Sequence, residues 1–160
     1  MRVILSGITV AIVLVLGSVA SMAQSSGQHA QGRRIEGTWM VNLTFADCQT
    51  GVEAPNATSP ALHTFLAGGS MLSDPAVNPA VLRTGHGVWQ HADGGNFTNK
   101  LLLFRFNPNG SYAGPVTIWR EIELSHDSAE LFSRDTAVST DPSGHVLETR
   151  CAVGRGRRLE

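Results

Sequence analysis

The chain of 160 residues contains only two cysteines, no C-x-x-C pair and no long run of one charge. Without C-x-x-C, a redox-active dithiol is not expected. The 12 basic and 13 acidic residues nearly cancel, giving a net charge of −1. No basic block interleaved with aromatics precedes the short cluster Gly154-Arg155-Gly156-Arg157-Arg158, so nucleic acid is not an expected partner. There is no His-Glu-x-x-His and no clustered Cys/His spacing, and neither a metal nor a cofactor is expected. No Gly-x-Ser-x-Gly elbow marks a nucleophile. Beyond residue 23 no segment has a helical period, which argues against a helix bundle or an α/β fold.

The apolar run that does occur stands at the start. Met1 and Arg2 form a short positive head, residues 8–16 are apolar, and Ser21-Met22-Ala23 supplies small residues. This is the pattern of a secretory signal peptide over residues 1–23, cut after Ala23, with a second site after Ala20. The rival reading is an uncleaved anchor, because the run approaches the shortest membrane span. Cleavage would leave no stable membrane anchor, and no cysteine follows the run to carry a lipid. Residues 24–33 are polar and rich in Gly, Ser and Gln, the composition of a disordered leader. Residues 34–160 then make one domain. The expected location is secreted or periplasmic, where Cys48 and Cys151 would pair as a disulfide; two separate buried thiols are the alternative.

Within residues 35–45, Trp39, Val41, Leu43 and Phe45 alternate with Asn42 and Thr44, as in a strand with one buried face. Further strands are predicted over 61–66, 70–73, 85–91, 97–106, 116–124, 130–138 and 145–153, with residues 46–60 and 74–84 as two long loops. Gly68-Gly69, Asp93-Gly94-Gly95, Asn107-Pro108-Asn109-Gly110 and Asp141-Pro142-Ser143-Gly144 supply turns between them. Eight meandering strands favour an all-β, antiparallel up-and-down barrel, since pairing the first strand with the last removes both edges. That pairing has an internal check. Opposing residue numbers in an antiparallel ladder have a constant sum, which is 199 for Cys48 with Cys151 and 197 for Trp39 with Arg158. The difference of two residues lies within a bulge or a diagonal contact.

Gly37-Thr38-Trp39 near the start of the first strand, with an arginine at the end of the last, resembles the signature of the calycin superfamily, which includes the lipocalins. The resemblance implies that Trp39 closes the barrel floor and that Arg157 or Arg158 packs across its indole, a cation-π contact. The run of Asp47-Cys48-Gln49-Thr50-Gly51, Gly68-Gly69, Gly85-His86-Gly87-Val88-Trp89 and the Cys-plus-Arg ending is also similar to small exported bacterial lipocalin-like proteins. The Thr-Asp-Tyr motif of typical lipocalins is absent near Arg134-Asp135-Thr136, so the resemblance bears on the fold more than on the ligand.

A lumen of this kind is expected to hold a small apolar or amphipathic molecule, with Arg120, His86, Trp89, Phe104, Phe106 and Ile118 as candidate lining residues. Leu102, Phe104 and Phe106 are assigned inward, leaving Leu101 and Leu103 outward, as a candidate dimer contact or under a loop; the chain is expected to be a monomer or a homodimer. Val116, Ile118, Ile122 and Leu124 share a face with Arg120. That arginine either reaches water at the mouth or needs a carboxylate from Asp135, Glu148 or a ligand. Which of His86 and Trp89 points inward stays open. Glu121 and Glu123 share a wet face, and His86 and His91 fall on opposite faces, so neither pair makes a site. Two rivals remain: an enzyme of cyclase or isomerase type, with Arg120, His86 and Asp135 as its polar groups, and a filled barrel with a structural or interaction role.

Overall fold

Alternating apolar residues and glycine-rich turns divide the described residues into eight antiparallel strands. The computed structural model describes residues 35–159; the signal peptide and leader expected over 1–33 lie outside the described residues. The strands are β1 (Gly37–Ala46), β2 (Glu53–Phe65), β3 (Ser70–Pro75), β4 (Gly85–His91), β5 (Phe97–Phe106), β6 (Tyr112–Leu124), β7 (Glu130–Thr140) and β8 (Val146–Arg158). Each pairs with the next, and β8 returns to β1, so the sheet closes on itself as a barrel without a free edge.

The closing register has the constant sum of 197, running from Trp39 opposite Arg158 to Ala46 opposite Cys151. Cys48 lies two residues past Ala46, so the Cys48–Cys151 disulfide crosses the seam diagonally, with a Cα–Cα distance of 5.1 Å. At the opposite end of the seam, the Arg158 guanidinium lies 4.5 Å from the centroid of the Trp39 ring and donates to the Glu36 carbonyl. Arg157 instead points outward toward Glu130, 3.5 Å away. Gly37 has φ +118°, and a Cβ there would stand 2.9 Å from the Arg158 guanidinium, so backbone conformation and space both call for glycine. The Trp39 indole N–H donates to the Ile35 carbonyl at 2.8 Å. Ile35, Phe65, Trp89, Phe97, Ile122 and Leu131 pack with Trp39 and fill this end.

The outer face carries Lys100, Glu121, Glu123, Arg134, Arg155 and Arg157, all exposed. These charges share the outer face with exposed Val88, Leu102, Phe104 and Trp119. Among the described residues, no helix is long and apolar enough to cross a membrane.

Three expectations change. Residues 53–60, predicted as loop, continue β2, and Glu53 pairs with Ala46 across a bulge. Pro55 and Pro60 are tolerated because β3 pairs with β2 only from Ala61 onward, so the prolines lie where one side of β2 is unpaired. The sixth and eighth strands also run longer than predicted, and the added length of β8, through Arg158, completes the seam. Finally, β5 faces the other way. Leu101 and Leu103 are 1% and 3% exposed inside the ring, while Leu102 and Phe104 are 38% and 49% exposed outside. The run from Leu101 to Phe104 is apolar on both faces, so its period carried no direction; Phe97 and Asn99, buried on the same side, set it. The outward patch assigned to Leu101 and Leu103 is therefore interior.

Replacing both cysteines with serine should keep the fold but lower its unfolding free energy by about 4 kcal/mol, given the length of the loop the disulfide closes. Urea denaturation of the variant measures the loss, and a non-reducing peptide map of the unaltered protein should return the linked Cys48 and Cys151 peptides.

Candidate functional site: an apolar cup above a buried ion pair

The filled end occupies only part of the ring. Above it a cavity of about 490 Å³ opens toward the loops that follow β1, β3, β5 and β7. Its walls include Leu43, Leu103, Val116, Ile118 and Ala137, and Val77, Val81 and Leu82 reach it from the loop between β3 and β4. Ser73, Arg120 and Asp135 also line it. These are ordinary products of strand parity, with every second residue of β1, β5, β6 and β7 pointing inward.

The polar floor runs straight across three strands. Asn99 pairs with Arg120 across β5 and β6, and Arg120 pairs with Asp135 across β6 and β7. The Arg120 guanidinium meets Asp135 Oδ2 through Nε and Nη2, both at 2.6 Å. Arg120 is 2% exposed and Asp135 6%. Ser133 donates to Asp135 Oδ1 at 2.7 Å, and Arg120 Nη1 stands 3.4 Å from His63 Nδ1. A guanidinium only donates, so His63 Nδ1 accepts, and the neutral ring carries its proton on Nε2. Burial, reinforced by the charge of Arg120, holds the His63 pKa well below the ordinary imidazole value. His63 Nε2 and Asn99 Oδ1 are buried without a partner among the described residues, and Asn99 Nδ2 donates to Met71 Sδ.

Nearer the mouth, β5 and β6 shift register between Arg105 and Phe106, extruding Ala113 as a bulge. Gly114 next to it has φ +102°, and a Cβ there would collide with the Thr140 carbonyl. The close approach this glycine permits brings the carbonyls of Ala113 and Thr140 together, and Arg105 Nη2 donates to both, at 3.0 and 2.9 Å. Arg105 and Phe106 both line the cavity. At the rim Glu148 and Arg150 form an ion pair at 2.6 Å, and Cys151 lies in the wall.

The sequence-predicted lumen residues thus separate into three groups. Arg120, Ile118 and Phe106 line the cavity. Trp89 points inward but belongs to the filled end, where its indole donates to the Leu66 carbonyl at 3.0 Å and its ring packs against Phe65 and Phe97. His86 and Phe104 are exposed on the outer face and do not reach the cavity; His86 and Trp89 are three positions apart, an odd spacing on a strand, so only one of them can face in. Sequence reasoning passed over His63, Asn99 and Arg105. The signal for His63 was its parity with Ala61 and Phe65. For Arg105 it was parity with Leu101 and Leu103, obscured by the reversed reading of β5. No protein-family model matches the chain, and no curated protein matches it significantly.

Asp135→Asn should cost about 3–5 kcal/mol of stability, because it leaves a buried guanidinium without its counter-charge. The double change Arg120→Met with Asp135→Leu should cost much less, and urea denaturation of both compares them. His63 adds a pH dependence. The unfolded chain takes up a proton near pH 6.5 that the folded ring refuses until lower pH. Stability should therefore fall as pH drops below about 6.5, by up to about 1.4 kcal/mol per unit. His63→Gln should flatten the profile between pH 6.5 and 5, above the range in which the exposed carboxylates Asp47 and Glu53, with lowered pKa values, begin to protonate.

Proposed function

We propose that this chain is an exported lipocalin-like binding protein that carries a small apolar or amphipathic molecule in the cup of its barrel. The observation that carries the reading is the cavity of about 490 Å³, apolar in its walls and polar at its floor, within the size range and chemical make-up of small-molecule sites. The Trp39–Arg158 stack supports the calycin-like assignment by the contact that the resemblance implies. The disulfide fits an oxidising compartment and hence export. A filled barrel would leave no such space above its core. Of the groups an enzymatic alternative would use, His86 lies on the outer face, and Arg120 and Asp135 line the cavity but are engaged with each other.

Native mass spectrometry of protein recovered from its own host should reveal a bound small molecule that is released by organic solvent. A ligand-free dimer would favour an interaction role instead. Ala137→Trp, placed to fill the cup from its wall, should abolish retention of that molecule while far-ultraviolet circular dichroism keeps its strand signature. Undiminished retention would locate the ligand elsewhere.

A further inference from the structure

The charges that line the cup do not balance. Three are arginines, Arg105, Arg120 and Arg150, and two are carboxylates, Asp135 and Glu148. Asp135 is engaged by Arg120, and Glu148 by Arg150. Arg105 has no carboxylate within ion-pair distance among the described residues. Its Nη2 is held by two backbone carbonyls, while Nε is shielded from solvent without an acceptor. Arg83, outside the cup lining, lies over the Phe106 ring with 5.4 Å to the centroid.

An arginine clamped by backbone carbonyls has already lost its rotamer freedom, so binding an anion there costs little further ordering. The clamp is also built into the chain, since the bulge at Ala113 and the positive φ of Gly114 exist where the two carbonyls must converge. With Nη2 held by the carbonyls and Nε shielded, Nη1 is the nitrogen left to meet a carboxylate, to which a guanidinium is complementary, and the apolar walls below it suit a hydrocarbon body.

We propose that the ligand of the cup is an amphipathic monoanion, an apolar chain or ring system bearing one carboxylate. Its acid group meets Arg105 near the mouth, and its apolar part lies between Leu103, Val116 and Ile118. The floor pair Arg120–Asp135 is internally neutral and takes no part in holding the charge. This assignment rests on the binding reading above and adds the ligand's charge and orientation to it.

Isothermal titration with decanoate, 1-decanol and decylammonium tests both levels, using protein recovered after expression of the full chain and freed of bound molecules. Decanoate should bind at least about tenfold tighter than the other two, the scale of a charge-assisted hydrogen bond. Arg105→Gln should reduce decanoate to the affinity of decanol and leave decanol unchanged, which also reports that the cup is intact. Arg105→Lys, keeping the charge, should retain the preference for the acid and covers the case in which Arg105→Gln fails to fold. Equal affinity for acid and alcohol in the unaltered protein would overturn the head-group assignment while leaving the cup as a binding site. So would a preference that survives Arg105→Gln. Failure of all three probes to bind would overturn both.

Discussion

The pairing of β1 with β8 is the constraint on which the rest depends. A meander of eight strands has two edges, and only this seam removes them. Every other feature of the interior presupposes it: Trp39 finds Arg158, Cys48 reaches Cys151, and Leu43 and Leu103 line one cavity. The seam is fastened at each end by a different chemistry. A stacked cation holds the filled end, where exclusion of water favours it, and a covalent bond holds the open end, where water would weaken a contact between side chains.

Between those ends the interior changes character in layers. Aromatic and aliphatic residues fill the closed end, a polar layer of Asn99, Arg120 and Asp135 lies above them, and an unfilled apolar cup follows. The buried ion pair adds little net stability, because desolvation offsets much of the attraction. Its effect is on specificity of packing: a guanidinium in this plane fixes which residues of β6 and β7 lie opposite each other, and a one-residue slip of β7 would turn Asp135 outward and leave Arg120 buried without its counter-charge.

Much of this was legible in the sequence. Turn residues located the strands, and β4 and β5 begin and end where predicted. The constant sum of opposing residues identified the seam register, and the two-residue offset of the cysteines is a diagonal crossing. Facing was legible where apolar and polar residues alternate, as along β6, and illegible along β5, where four consecutive apolar residues suit either side. The extension of β2 was hidden by Pro55 and Pro60, residues that exclude a central strand but not one whose second side is unpaired. The placement of Arg105 depends on a bulge, and a bulge shows in the sequence only as a glycine inside a strand.

Cys48 lies just past the first strand and its partner lies in the last, 103 residues away in sequence. A chain synthesised from its N-terminus therefore presents its first thiol long before the second is made. Through that interval β1 has one free edge and Trp39 has no arginine above it. The seam is the last contact in sequence order to become available, and it has the longest loop to close. During this delay Cys48 is open to capture by any oxidant or thiol around it. The time taken to deliver β8 thus sets how long the protein depends on its surroundings to keep that sulfur available.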